Sequence, residues 1–312
     1  MDSLAFIFPG QGSQYVGMGK EFYREYPEAR EPFDRAGEVL GFDLKGLCFE
    51  GPEDELGRTE NTQPAILVAS VAALRVLEAE TGARPGLVAG HSLGEYTALV
   101  LAGSLELQDA VRLVHMRGKF MQEGAAEGTG GMCAVIGLGL EEVEAVCGEA
   151  SIEGNVVVPA NINGLQQIVV SGHKEAVDRA AVLAKDKGAK KVVLLPVSVP
   201  SHSPLMEGAA GRLSEELEKT EFRELKTTLL TNVEAKPLTD VSKVRGLLTR
   251  QLTSPVRWVD IVRRMASGGV TTAVEIGPGR VLTGLVRRID KGINTVNLDK
   301  PGDMEKVLSV CG

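Results

Sequence analysis

A serine whose neighbours force its hydroxyl clear of the backbone is the first candidate for chemistry, and Gly90-His91-Ser92-Leu93-Gly94 provides one. The spacing is that of a nucleophile elbow, G-x-S-x-G, in which a sharp strand-to-helix turn exposes the serine. Gly86-Leu87-Val88-Ala89-Gly90 reads as the strand, and Leu93 to Ala102, closed by Gly103, as the helix. Ser92 then sits at a helix N-terminus, where unpaired N–H groups suit a developing oxyanion. The N–H of Leu93 is the obvious donor.

A nucleophilic serine needs a base, and the chain has four histidines. His91 adjoins Ser92 in the turn, where neighbouring side chains diverge, so it is expected as a hydrogen-bonded buried residue. His115 falls mid-helix and His173 in a polar turn, both expected at the surface. His202, in the rigid loop Val199-Pro200-Ser201-His202-Ser203-Pro204, is the base by elimination. The loop Gly10-Gln11-Gly12-Ser13-Gln14 follows an apolar strand, Leu4 to Phe8. In a parallel sheet its tip shares the carboxyl edge with Ser92, placing it to give a second oxyanion N–H. It lacks both G-x-G-x-x-G spacing and a P-loop lysine, so dinucleotide or triphosphate binding is a weak alternative. Arg112 and Arg117 lie on the next helix. At a separation of five they do not share a face, so at most one enters a cleft, and spacing does not choose between them.

The elements that must position these residues follow from periodicity. Pro64 to Thr81 reads as a largely buried helix with Pro64 near its start. Between about 129 and 198 the pattern becomes β-α-β-β-α-β: Met132 to Ile136, Glu141 to Cys147, Val156 to Ala160, Ile168 to Ser171, Glu175 to Lys187 and Lys191 to Leu195. That order is the ferredoxin-like split unit. Later strands are expected at Thr228 to Thr231, Ala273 to Ile276 and Thr295 to Leu298. Helices are expected at Pro204 to Lys219, Val241 to Leu252, Val256 to Ala266, Val281 to Ile289 and Met304 to Val310. The fold class is therefore α/β. A larger α/β-hydrolase-like domain with a parallel sheet (1–127 and 199–312) carries an inserted ferredoxin-like subdomain (128–198).

Composition narrows the function classes. The chain has 312 residues, 43% hydrophobic and 24% charged, the balance of a globular protein. A net charge of −8 argues against general attraction to nucleic acid or anionic lipid. The apolar stretch from Pro64 meets Arg75 before it reaches the roughly 20 residues of a membrane span. With Asp2 where a secretory signal carries positive charge, a cytoplasmic protein is expected. Cys48, Cys133, Cys147 and Cys311 have no metal-site or disulfide spacing and read as incidental thiols.

Across nearly its whole length the sequence resembles the malonyl-CoA:acyl-carrier-protein transacylases, the acyltransferases of bacterial fatty-acid synthesis. The resemblance rests on Phe8-Pro9-Gly10-Gln11-Gly12-Ser13-Gln14, Asn61-Thr62-Gln63-Pro64-Ala65, Gly90-His91-Ser92-Leu93-Gly94-Glu95, Arg117-Gly118, Asn161-Ile162-Asn163, Val199-Pro200-Ser201-His202-Ser203 and Glu275-Ile276-Gly277-Pro278-Gly279. It implies Ser92 as nucleophile, His202 as base, and the backbone N–H groups of Gln11 and Leu93 as oxyanion hole. It implies Arg117, rather than Arg112, as the clamp on the malonyl carboxylate. The backbone carbonyl of Gln251 would orient His202, and Asn163, Ser201 and His91 would border the substrate. One departure is Leu165, where the family often has proline. The implied substrates are malonyl-CoA and an acyl carrier protein, with no permanently bound cofactor or metal, no nucleic acid or membrane partner, and a monomeric chain. An acidic carrier would need a local cationic face, with Lys185, Lys187, Lys190 and Lys191 as one candidate and Arg287, Arg288 and Lys291 as another.

Two rivals are weighed. A serine hydrolase or thioesterase of the α/β-hydrolase class shares the elbow, but such enzymes place their histidine late in the chain, and none follows His202 here. A non-enzymatic binding subunit would have no need of Ser92, His202 and Arg117 together.

Overall fold

The computed structural model describes residues 3–124, 128–197 and 199–311. Its strands are β1 (Leu4–Phe8), β2 (Leu87–Gly90), β3 (Gly130–Ile136), β4 (Val157–Gly164), β5 (Gln167–His173), β6 (Lys191–Leu194), β7 (Thr228–Leu230), β8 (Thr272–Ile276) and β9 (Asn294–Leu298). Five of them form one sheet in the order β7-β2-β1-β8-β9, with every neighbouring pair parallel. Strand alternation divides β1 between two cores: Phe6 and Phe8 pack on one face, Ala5 and Ile7 on the other. Helices cover both faces, which explains why this strand reads as an unbroken apolar run. Register pairs Phe8 with Gly90, so Pro9-Gly10 and His91-Ser92 leave the carboxyl edge side by side.

The other four strands form an antiparallel sheet in the order β4-β5-β3-β6, the strand order of the ferredoxin-like unit expected from the sequence. Helices Leu140–Ala150 and Lys174–Asp186 bury Val143, Val146, Val177 and Ala180 with Val135 and Val170 in a core of its own. The expected domain boundaries, 127/128 and 198/199, each involve a residue, 127 or 198, that lies outside the described residues. The two sheets are joined where β4 meets the loop before helix Trp258–Ser267: Ile162 N–H donates to Val256 O and Val256 N–H to Ala160 O, each at 2.9 Å. That pairing explains two departures from expectation. Val256 is extended, so its helix begins at Trp258; and β4 runs on to Gly164. Asn161 and Asn163 therefore sit on a strand with register shifts, not on a loop, and Leu165 lies on an exposed hairpin turn.

The helix expected from Pro64 begins at Thr59 and runs to Thr81 with the proline inside it. Proline lacks the N–H that would bond the carbonyl four residues back, that of Glu60. His115, on helix Leu107–Glu123, supplies the missing donor: its Nδ1 lies 3.0 Å from Glu60 O. The expected surface histidine is thus a tie between two core helices. By length and composition Thr59–Thr81 could cross a membrane, yet 83% of its apolar window is buried inside the protein. Helices Lys20–Glu25, Arg30–Leu40, Leu44–Glu50 and Glu53–Gly57 are additional to those expected from the sequence. They are short and rich in charge, and each shows the core only a few residues, among them Phe22, Phe33, Cys48 and Leu56.

The helices expected from Pro204 and Val241 each open with a 3₁₀ turn before becoming α-helical at Glu207 and Val244. The second ends at Gln251, whose terminal carbonyl is free of helical partners. Glu275 has a fold role: its two carboxylate oxygens accept from Leu282 and Thr283 N–H at 3.0 and 2.7 Å, capping helix Val281–Ile289.

Candidate active site

β2 delivers Ser92 into the left-handed region, at φ 52°. The turn is tight enough to demand glycine on both sides. A Cβ on Gly90 would lie 1.9 Å from Gly94 C, and one on Gly94 would lie 2.2 Å from Phe8 O. Asn232, in the turn after β7, fixes the elbow from outside. Its Oδ1 accepts from Ser92 N–H at 2.6 Å while its Nδ2 donates to Gly90 O at 2.6 Å.

His202 is the second residue with a left-handed backbone, at φ 60°. Only one other described non-glycine residue, Ala235, shares that conformation, so this backbone strain concentrates on the two chemical groups. Ser92 Oγ lies 2.8 Å from His202 Nε2, and His202 Nδ1 lies 2.7 Å from Gln251 O. A carbonyl only accepts, so the Nδ1 proton points at Gln251 and leaves Nε2 as acceptor for the serine proton. Burial first, and then the nearby Arg117 charge, holds His202 down at about 3, so the ring is neutral at physiological pH.

Arg117 is buried and aimed at the nucleophile. Its Nη1 donates to Gln63 Oε1 at 2.7 Å, and its Nη2 donates to Gln251 Oε1 at 2.9 Å and to Ser92 Oγ at 3.0 Å. These contacts are all neutral, so no anion pairs directly with the guanidinium among the described residues. Arg112 faces elsewhere: it binds Glu216 at 2.9 Å and is half-exposed. The choice that spacing left open is thereby made.

A cavity of about 510 Å³ opens between the two sheets onto Ser92, His202 and Arg117, with Gln11, His91, Leu93, Asn161 and Ser201 also on its wall. Neither Gln11 nor Leu93 spends its backbone N–H on an acceptor among the described residues. Asn163 stands behind this wall: its Oδ1 lies 2.7 Å from His91 Nε2, and the ring of His91 packs at 5.7 Å from that of Trp258. Of the two asparagines, Asn161 is the one on the cavity surface.

The sequence alone points to no part for Gln63, Asn232, Glu95 or the side chain of Gln251. Gln63 and Glu95 do lie within quoted motifs, and Asn232 follows a strand at the carboxyl edge, which is the signal that could have drawn attention to it.

Residues 5–299 match the family model described as the acyl transferase domain. The chain belongs to the acyl transferase family. Among relatives of this acyl transferase, the malonyl CoA-acyl carrier protein transacylase of Salmonella typhimurium is 49% identical over 99% of this chain and 100% of its own length. The Bacillus subtilis protein of that name is 44% identical over 98% and 96%. Two solved structures agree. The malonyl-CoA:acyl carrier protein transacylase of Xanthomonas oryzae superposes with a TM-score of 0.97, 46% identity and coverage of 100% of this chain and 99% of that one. A malonyl-transacylase in complex with a type II polyketide acyl-carrier protein gives 0.95 at 44% identity, covering 98% of this acyl transferase and 99% of its own chain.

Proposed function

We propose that this acyl transferase moves a malonyl group from coenzyme A to the phosphopantetheine thiol of an acyl carrier protein through a malonyl ester on Ser92. The observation that carries the acyl specificity is the buried Arg117 guanidinium, 3.0 Å from the Ser92 hydroxyl and tethered, among the described residues, by neutral groups. A buried cation left unpaired is costly, and a substrate carboxylate supplies its partner in bidentate geometry.

The steps balance without a further reactant. Ser92 Oγ attacks the malonyl thioester carbonyl and passes its proton to His202 Nε2. The tetrahedral oxyanion is met by the N–H groups of Gln11 and Leu93. The C–S bond then breaks, and His202 returns the proton to the departing coenzyme A sulfur. In the second half the carrier thiol gives its proton to His202, attacks the ester, and Ser92 recovers the proton. Gln251 O holds the imidazole in the required tautomer, so Ser92 and His202 act as a dyad with a carbonyl in the place of a third acid. General-base assistance is worth about 10²- to 10⁴-fold, and one oxyanion donor roughly 3 to 4 kcal/mol. His91, Asn161 and Ser201 form the wall against which the acyl group lies, and Asn163 supports it from behind through His91.

Carrier docking is assigned to the small unit. The edge strand β6 leads from Lys190 and Lys191 straight into Leu195, Pro196 and Val197, which line the cavity. In that cluster Lys187 is paired with Glu149, and in the rival cluster Arg287 is spent on Thr295. The discontinuous domain arrangement (1–127 and 199–312 around 128–198), a monomeric state, a cytoplasmic location and chemistry needing no resident cofactor belong to the same proposal. Quantifying malonate release against transfer to a thiol acceptor tests it: transfer should dominate, whereas free malonate as the main product would belong to a hydrolase.

A further inference from the structure

One ionisable side chain in the site is used by none of these steps. Glu95 lies three residues after Ser92 and is buried on the first turn of helix Gly94–Leu101. Its Oε2 accepts from Gln251 Nε2 at 2.6 Å and from Asn232 N–H at 3.3 Å. These two partners hold every moving part. Gln251 Nε2 also donates to Ser92 O at 3.1 Å, its Oε1 accepts from Arg117, and its backbone carbonyl accepts from His202. Asn232 Oδ1 accepts the N–H of Ser92. The nucleophile, the base and the cationic clamp are thus each one residue removed from a single carboxylate oxygen.

We propose that Glu95 is a positioning residue for acyl transfer, anchoring Gln251 and Asn232 so that Ser92, His202 and Arg117 stay in mutual register. The inference rests on the malonyl-transfer reading above. Glu95 also borders a small, mainly apolar cavity with Leu99, Leu229, Thr231, Leu238 and Leu248, a setting that an acid enters only for return in hydrogen bonds. That burial also raises its protonation range to about 7, opposed by the bonds from Gln251 and Asn232 and by the charge of Arg117. Without the anchor the Gln251 amide can rotate. Its Oε1 then releases Arg117, which reads the substrate carboxylate, and its carbonyl loosens its hold on the imidazole. A merely structural carboxylate would not couple acyl selectivity to rate in this way.

Three substitutions test the role through single-turnover acylation of Ser92 by malonyl-CoA and by acetyl-CoA. Glu95→Met keeps the volume and removes the acceptor. Malonyl acylation should fall about 10²-fold, the loss that a small misplacement near the reacting atoms produces, and the malonyl-to-acetyl ratio should fall with it. Glu95→Gln keeps an oxygen acceptor for both donors and should restore most of the rate and ratio. Glu95→Asp keeps the charge but draws the acceptor back by one methylene, and should lose about tenfold. Glu95→Met within twofold of the unsubstituted enzyme, or Glu95→Gln as impaired as Glu95→Met with both acyl groups equally affected, overturns the proposal. If Glu95→Met does not fold, Glu95→Asp decides, and an unchanged rate there overturns it. Failure of the unsubstituted enzyme to acylate removes the transfer reading and this inference together, whereas normal acylation with indifferent variants removes only the role of Glu95.

Discussion

Arg117 donates from Nη2 to the Oγ of Ser92 at 3.0 Å, so the group suited to reading the substrate's charge touches the group suited to attacking its carbonyl. Recognition and chemistry therefore share an atom. The guanidinium also faces His202 closely enough to depress its basicity. A substrate carboxylate arriving on Arg117 would offset that cationic field as it positions the thioester.

Replacing Arg117 with alanine should lower kcat/KM for malonyl acylation by about 10²- to 5 × 10³-fold, the equivalent of the roughly 3 to 5 kcal/mol lost with a buried charge pair. Acetyl acylation should fall far less, because acetyl brings no charge. Arg117→Lys should not recover the malonyl rate: one ammonium cannot serve Gln63, Gln251 and a carboxylate with the fixed fork that arginine offers. Paired acylation kinetics with the two thioesters check both points, and equal losses for the two acyl groups would contradict the clamp.

His202 is neutral when folded and titrates near the ordinary 6.5 when unfolded, with its folded value held at about 3. The unfolded chain therefore binds more protons between those values. The contribution of His202 to stability is complete above pH 6.5 and is lost as pH falls toward 3. Proton NMR of the imidazoles should show the His202 ring untitrated at pH 5. In Arg117→Ala, which removes the second-largest cause of the depression, its titration should move upward. A His202 midpoint near 6.5 in the unsubstituted enzyme would refute this electrostatic account.

The elbow leaves no room for side chains on its glycines. Gly90→Ala would drive a methyl against Gly94 and Glu95, and Gly94→Ala would drive one against the Phe8 carbonyl. The obstacle in each case is backbone that cannot rotate away, so each substitution should cost at least about 1 to 3 kcal/mol and leave the serine misaligned. Urea unfolding measures the first effect and acylation by malonyl-CoA the second. A variant that folds and acylates normally would mean that the turn is more pliant than its contacts indicate.

His115 offers a test away from the chemistry. His115→Ala leaves the Glu60 carbonyl, already deprived of its helical partner by Pro64, without a donor. Stability should drop by about 1 to 3 kcal/mol, with acylation kinetics unchanged. Unfolding by urea reads the change, and no loss of stability would show that water replaces the imidazole.

The sheet, the inserted unit and the elbow were legible because their signals are local. An unbroken apolar run ended by Pro9-Gly10 marks β1, glycine spacing marks Ser92, and a β-α-β-β-α-β order marks the small unit. Of the helices between Lys20 and Gly57, Lys20–Glu25, Leu44–Glu50 and Glu53–Gly57 are too short to show a period, whereas Arg30–Leu40 carries Phe33, Ala36 and Leu40 at helical spacing and was legible in principle. Pro64 misled for a different reason: the donor that lets a helix continue through it comes from residue 115, and no local pattern carries that information. In the site, Ser92 could be reached by glycine spacing and His202 by elimination, whereas spacing left Arg112 and Arg117 undecided until the resemblance favoured one. Asn232, Gln63 and the side chain of Gln251 were invisible because their roles are hydrogen bonds across 54 to 159 positions of sequence.

The most direct measurement is intact-mass analysis and peptide mapping after brief exposure to malonyl-CoA, followed by addition of a carrier protein bearing its phosphopantetheine thiol. A single malonyl group should appear on the peptide containing Ser92, be absent from Ser92→Ala, and pass to the carrier thiol. No adduct, an adduct on another residue, or discharge to free malonate in place of the carrier would contradict the account.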